Sequence, residues 1–313
     1  MAYLKVVQGV AVPRFFPDDA VVSALSYKGR AGEVYVTTYP KCGTTWVQYI
    51  AYGIFHDGQP PTDLVQFFRD SPFLELFGVD ALGAMHGSGT IKTHLPIANR
   101  RVSSEAKYIY VARNPYDVCV SSYHQTRTHT INEDDVDDFG EYLRRFITGA
   151  VSYGDYLEGS LLPWYSRRNE NNVLFLTYED LCAQTVLQVK RIAEFIGKQY
   201  GQRIQRDSAM LQRVLAMSSK EQMRPIFRDY MRQAVQFLVQ QRTSRNVPIS
   251  PELQNVLKFL NDRPPRHEFV RSAAVGEYES FLAEGDKVAL RNWISSKTLG
   301  SDVMSLWPGI CLP

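Results

Sequence analysis

Two kinds of hydrophobic pattern take turns along this chain. Residues 33–38 (EVYVTT) form a short β-branched and aromatic run, and residues 44–55 (TTWVQYIAYGIF) continue at helical spacing after the breakers Pro40 and Gly43. The pattern predicts a strand, a tight loop and a helix. The unit recurs at residues 107–112 (KYIYVA), where the apolar run gives way to RNP and then to DVCVSSYHQTR. Pro115 suits a first helical turn, because that position has no intrahelical use for an N–H. A third strand is predicted at residues 173–177 (VLFLT). YEDL and QVKRIAEFIG follow, in which Val189, Ile192, Ala193 and Ile196 repeat at helical intervals and Gly197 is the stop.

Strands alternating with helices imply an α/β fold with a central, mostly parallel β-sheet flanked by helices. Residues 137–168, between the second and third strands, read as a pair of amphipathic helices. Beyond about Gly201 the pattern is helical and then loop-like, without internal repeats or low-complexity tracts. The 313 residues, 44% of them hydrophobic, can bury a large core. No Pro/Gly/Ser-rich linker divides them, so one domain over residues 1–313 is expected.

Charge narrows the picture. Thirty-five basic and 33 acidic residues leave a net charge of +2 spread along the chain, which predicts neither a nucleic-acid partner nor a membrane surface. Any anion must be held locally. Cys42, Cys119, Cys182 and Cys311 are far apart, without C-x-x-C pairing or zinc-ligand spacing, so no metal is expected and a reduced, intracellular setting fits best. The N-terminus lacks the apolar core and cleavage site of a signal peptide, and no stretch approaches the roughly 20 apolar residues that span a bilayer. A cytoplasmic protein is expected.

The segment 38–46 (TYPKCGTTW) carries the most chemistry. It sets Lys41, Gly43, Thr44 and Thr45 between a strand and a helix N-terminus, where unpaired N–H groups and the helix dipole favour an anion. Lys41 adds charge, Gly43 allows close approach, and the two hydroxyls add hydrogen bonds. This is a P-loop-like strand-loop-helix, but not the G-x-x-x-x-G-K-S/T of nucleotide triphosphatases, because Lys41 precedes the only glycine. Arg113 at a strand end and Ser121 two helical turns on can converge on one phosphate, unless Arg113 serves only a structural ion pair with Asp117. His94 in IKTHLP has a side chain whose ordinary pKa of about 6.5 suits a general base, and Lys92, two residues away on an extended segment, projects to the same side. His124 and His129 lie outside that motif.

On these residues the chain resembles the cytosolic sulfotransferase family, whose phosphosulfate-binding loop reads TYPKSGTTW. KTHLP (92–96), YVARNPYDVCVSSYH (110–124), FITGAVSYGDY, LTYEDL (176–181) and RIAEFIG look like further family landmarks in family order, so the likeness runs from about residue 9 to about residue 280. The resemblance implies a sulfotransferase that uses 3'-phosphoadenosine 5'-phosphosulfate (PAPS), without a metal, to sulfate a hydroxyl or amine of a small acceptor. It implies that residues 41–46, with Cys42 where the family has serine, hold the donor, and that Arg113 and Ser121 hold its 3'-phosphate. Trp46, Tyr178 and Ser218 would line the adenine site, although a tryptophan there could equally be core. His94 would be the base, with Lys92 and Lys41 offsetting charge on the transferring and leaving groups. Phe16 and Phe73 would wall a hydrophobic acceptor pocket, or else be plain core; phenols or catecholamine-like compounds are the expected acceptors.

The resemblance frays at three places. The family's RKGxxGDW signature stands here as Arg271-Ser-Ala-Ala-Val-Gly-Glu-Tyr278, which keeps Arg271 and Gly276 but replaces a lysine and a glycine by Ser272 and Ala273. Weaker PAPS binding is expected. The family's short dimer motif is not recognisable after it, which leaves monomer and homodimer both open. Cys42, at a helix N-terminus beside Lys41, is in a setting that lowers a thiol pKa, so it is a candidate for redox sensitivity. Two other readings compete: a P-loop phosphotransferase that needs magnesium, and a degenerate binder that keeps the donor site without turnover.

Overall fold

The computed structural model describes residues 3–85, 88–99, 102–129, 138–262 and 273–310. The chain opens with a hairpin of β1 (Leu4–Val7) and β2 (Val10–Pro13), of which the hydrophobic pattern gives no warning. Its turn residues Gln8 and Gly9 take φ of 47° and 82°, the left-handed pair that matches strand twist in a two-residue loop. After α1 (Asp18–Ser26), β3 (Val34–Thr37) leads through a loop into α2 (Thr44–Phe55). α3 (Leu64–Asp70) and the one-turn α4 (Leu74–Phe77) carry the chain to β4 (Ile91–Thr93). β5 (Lys107–Ala112) runs into α5 (Pro115–His129), and α6 (Phe139–Ile147) and α7 (Leu162–Ser166) precede β6 (Val173–Thr177). Among the described residues the helices that follow are α8 (Tyr178–Ala183), α9 (Thr185–Ile196), α10 (Lys198–Arg206), α11 (Ser208–Met217), α12 (Lys220–Ile226), α13 (Tyr230–Ser244), α14 (Pro251–Asp262), α15 (Tyr278–Phe281) and α16 (Glu284–Lys297).

The sheet order is β4-β3-β5-β6 and every neighbour is parallel, as the alternating pattern predicts. Tyr35 of β3 stands opposite both Ile91 and Tyr108. Strand periodicity then sorts the side chains into two cores. Val34, Val36, Ile109 and Val111 point to an aliphatic core that α2, α9 and α11 cover with Val47, Ile50, Val189, Ile192 and Val214. Tyr35, Tyr108 and Tyr110 point to the opposite, aromatic core, where Tyr35 stacks on Tyr108 at 5.1 Å and Tyr110 on Trp164 at 5.5 Å. Each such buried aliphatic or aromatic side chain contributes roughly 1.5–3 kcal/mol relative to exposure.

Two expectations change. Among the described residues, the stretch beyond residue 201 stays largely helical. Helices run through α16, because short apolar sets such as Leu290, Trp293 and Ile294 recur at helical spacing among charged residues. The amphipathic pair expected at residues 137–168 is α6 and a π turn (Leu157–Leu161) that continues into α7.

The loop between β3 and α2 depends on one glycine. Gly43 takes φ 88°, and a Cβ there would lie 2.8 Å from the ring of Tyr178. Gly43→Ala should therefore lower the free energy of unfolding by about 2–3 kcal/mol, through backbone strain and overpacking together. Urea unfolding checks this; a loss below about 0.5 kcal/mol would contradict the close packing of Tyr178 on the loop.

Candidate active site

The loop forms where β3 stops pairing. Thr38 N–H still reaches the Thr93 carbonyl at 3.3 Å, and Lys41 then adopts φ 70°, a left-handed conformation that few side-chain-bearing residues take. Gly43 precedes the first turn of α2, whose leading N–H groups have no acceptor within the helix. Thr44 and Thr45 are buried, and Thr44 Oγ1 lies 2.6 Å from Thr38 Oγ1. Lys41, Gly43, Thr44 and Thr45 thus share one turn, as their spacing predicts.

β4 lies beside β3, and this parallel pairing delivers Lys92 and His94 to the same loop. His94 Nδ1 is 2.9 Å from the Thr38 carbonyl oxygen and 3.3 Å from Thr38 Oγ1. A carbonyl oxygen can only accept, so Nδ1 carries the ring proton and Nε2 is the unprotonated nitrogen. Burial, and then the charge of Lys92, hold the His94 pKa well below the usual 6.5, so the ring is neutral at neutral pH. Lys92 is also buried; desolvation brings its pKa down to about 8, opposed by Glu75 and reinforced by Lys41. Its Nζ sits 4.3 Å above the centre of the Phe73 ring and 5.5 Å from that of Tyr230.

Phe16 and Phe73 are both buried members of the aromatic core and meet edge to face at 5.6 Å. Phe73 also meets the His94 ring at 5.3 Å, and Tyr153 meets His94 from another direction at 5.3 Å. The two phenylalanines named from the sequence lie in the aromatic core, and Phe73 carries it to the His94 ring.

Arg113 lies at the end of β5 with its fork engaged. One terminal nitrogen donates to the Lys41 carbonyl at 3.1 Å; the other donates to the Ala274 carbonyl at 2.8 Å and stands 3.5 Å from Asp117. Its Nε is buried without a partner, and the guanidinium lies 4.4 Å from the Tyr178 ring centre. The ion pair with Asp117 exists, and Asp117 also accepts the N–H groups of Gly276 and Tyr278 at 2.8 and 3.1 Å. Ser121 is buried further along α5. Trp46, Tyr178 and Ser218 come together: Trp46 Nε1 donates to the Ser218 carbonyl at 2.9 Å and its ring meets Tyr178 at 5.8 Å. The Ser218 hydroxyl itself turns back to the Val214 carbonyl. Arg271 and Ser272 lie outside the described residues.

Cys42 corrects a sequence expectation. Its side chain is fully buried, and desolvation pushes the thiol up to about 12, outweighing the lowering by Arg113 and Lys41. The helix N-terminus and the lysine do not activate it. The sequence reading also missed Glu75, a buried carboxyl in the first turn of α4 whose Oε1 accepts the His94 main-chain N–H at 2.6 Å. The signal for it is a single charge inside an apolar run, SPFLELFGV.

A loop that opens on a helix N-terminus, a neutral imidazole with one unprotonated nitrogen, and a buried ammonium beside it suit transfer of an anionic group to a deprotonated acceptor. Residues 32–245 match the Sulfotransferase domain family, and the chain belongs to that family; it is a sulfotransferase. Sulfotransferase 1A1 of Canis lupus familiaris is 32% identical over 205 residues, 62% of this chain and 68% of that protein. Sulfotransferase 1B1 of Mus musculus is 33% identical over 209 residues, 63% of this chain and 67% of that protein. Among solved structures, mouse sulfotransferase SULT7A1 complexed with PAP is similar with a TM-score of 0.68 at 20% identity, over 97% of each chain. Retinol dehydratase in complex with androsterone and inactive cofactor PAP is similar with a TM-score of 0.65 at 20% identity, over 94% of this chain and 88% of that one. These structural likenesses show the fold. Among the described residues no helix is long and apolar enough to cross a membrane.

The burial of Cys42 has a direct test. At pH 8 a thiol reagent should modify exposed Cys182 and leave Cys42 and Cys119 unlabelled in the native protein, as read by peptide mass spectrometry. Labelling of Cys42 at a rate comparable to Cys182 would contradict its placement.

Proposed function

We propose that this sulfotransferase takes its sulfuryl group from PAPS and delivers it to the hydroxyl or amine of a small acceptor, a phenol or catecholamine-like compound, with His94 as the base. The observation that carries the reading is the His94 ring: Nδ1 is committed to the Thr38 carbonyl, which leaves Nε2 as a neutral base in a buried site.

Several features fit the donor. The α2 N-terminus and residues 41–45 make a phosphate cradle, and the buried Arg113 Nε still lacks a partner. The structural neighbours carry PAP. Lys41, Gly43, Thr44 and Thr45 would hold the phosphosulfate end, Arg113 and Ser121 the 3'-phosphate, and Trp46, Tyr178 and Ser218 the adenine, with Arg271 a further candidate cation. PAPS supplies the sulfuryl group and a phosphate that departs as an anion. His94 Nε2 accepts the acceptor proton; Lys92 and Lys41 place positive charge where negative charge accumulates in the transition state. Phe16 and Phe73 favour a flat, apolar acceptor body beside the base.

Transfer of labelled sulfate from PAPS to a panel of phenols, catecholamines and steroid alcohols tests the reading. Transfer should persist in EDTA, and His94→Ala should slow it at least about 100-fold. Loss of activity in EDTA, or an active His94→Ala variant, would contradict it. Binding of PAPS without transfer to any acceptor would favour a degenerate binder. The pH profile follows from the buried charges. His94 is already neutral at pH 6.5, so no acidic limb is expected there. Lys92 acts as a cation, so the rate should fall as pH rises through about 8. A rate still climbing between pH 8 and about 9.5 would exclude Lys92 as the required cation.

A further inference from the structure

We propose that Glu75 is a positioning residue of the transfer site: one carboxylate oxygen fixes the main chain that carries His94, and its negative charge is the counterion of the buried Lys92 ammonium. The assignment rests on the roles proposed above for Lys92 and His94 and adds the group that holds both.

β4 is an edge strand, so one row of its N–H groups has no neighbouring strand. Residues 72–75 close that edge. Lys92 N–H donates to the Pro72 carbonyl at 2.9 Å, and Phe73 pairs with Lys92 as an isolated parallel bridge. The chain then turns into α4, too early to offer a carbonyl to His94 N–H. Glu75 Oε1 takes that place at 2.6 Å and continues the ladder with a side chain. A fully buried carboxyl is a costly substitute for a backbone carbonyl, which a neutral side chain could have supplied without charge.

The charge has a counterpart. Among the groups that act on Lys92, burial and Lys41 drive its proton off and Glu75 holds it on. Burial pushes the Glu75 carboxyl up to about 7, against the His94 N–H, its own main chain, the Thr93 hydroxyl and the charge of Lys92, which hold it down. The other ionisable groups around this pair are the His94 ring, neutral at neutral pH, and the phenols of Tyr153 and Tyr230, both pushed above their ordinary value by burial. Among the described residues, Glu75 is therefore the anionic group that keeps Lys92 protonated. Its second oxygen and the Tyr153 hydroxyl are both buried without a hydrogen-bond partner, although Glu75 acts on the Tyr153 phenol. The His94 main chain, the Thr93 hydroxyl and Lys92 all favour the charged carboxylate.

Glu75→Gln separates the two duties, because its amide oxygen can still accept the His94 N–H while the charge is gone. Competitive acetylation of the folded protein across pH, read on the Lys92 peptide by mass spectrometry, gives the Lys92 midpoint without any need for turnover. The wild-type midpoint is expected near 8 and the Glu75→Gln midpoint lower by about one unit or more. The basic limb of the sulfate-transfer rate should move down with it, with a lower kcat and unchanged KM for PAPS. Glu75→Asp, which keeps the charge but falls short of His94, should retain the wild-type Lys92 midpoint and lose kcat. An unchanged Lys92 midpoint in Glu75→Gln, or an Asp variant whose midpoint drops as far as the Gln variant's, overturns the proposal. If Glu75→Gln does not fold, as circular dichroism would show, the Asp midpoint decides alone. A wild type that shifts as expected on labelling yet transfers no sulfate leaves Glu75 as the Lys92 counterion and removes the proposed function instead.

Discussion

The hydrogen bond from His94 Nδ1 to the Thr38 carbonyl couples the two halves of the site. Thr38 follows directly on β3 and opens the loop that leads into α2, and His94 follows directly on β4. Parallel pairing of these strands brings their C-terminal ends to the same edge of the sheet, where the ligand crevices of α/β folds form. The bond then does more than join them: it selects the imidazole tautomer and points the basic nitrogen away from the loop's backbone. The Thr38 hydroxyl contacts both His94 and Thr44, so one side chain links the loop, the first turn of α2 and the imidazole.

Buried charge is the second theme, and it is destabilising unless matched. Arg113 is matched by Asp117 and by two carbonyls, and Lys92 by Glu75 and the faces of two aromatic rings. The arrangement at Arg113 extends to residues 274–278, whose carbonyl and N–H groups engage Arg113 and Asp117. Ala273, where the family signature has glycine, takes φ 50° just before that contact. A residue with a side chain thus takes a left-handed conformation that glycine adopts at less cost.

Much of the fold was legible because its central strands are short runs of β-branched and aromatic residues with sharp ends. The strands at 107–112 and 173–177 and the helix at 44–55 occur with the expected bounds. The hairpin at the N-terminus was not, since two four-residue strands joined by Gln-Gly carry too little periodicity to stand out. The helices beyond residue 201 were underread for a related reason: α13 and α16 bury only narrow apolar stripes among polar residues. At the site, the local sequence placed the strand, loop and helix at residues 34–55, and the pairing of β3 with β4 brings Lys92 and His94 beside that loop. Glu75 and the state of Cys42 depend on what burial does to a charge or a thiol, and neighbours far apart in the chain decide that. Cys42 shows the limit: helix dipole and Lys41 were visible in the sequence, while the larger desolvation that reverses their effect was not.

The most direct measurement is the tautomer and charge of His94, read by nitrogen-15 NMR of the histidine rings over the pH range from about 5 to 8, with His94→Gln for assignment. A neutral ring protonated at Nδ1, with a bare Nε2 that stays bare through pH 6.5, is expected from the Thr38 bond and the burial. A ring protonated at Nε2, or one that gains its second proton above pH 6.5, would contradict the assignment of His94 as the base.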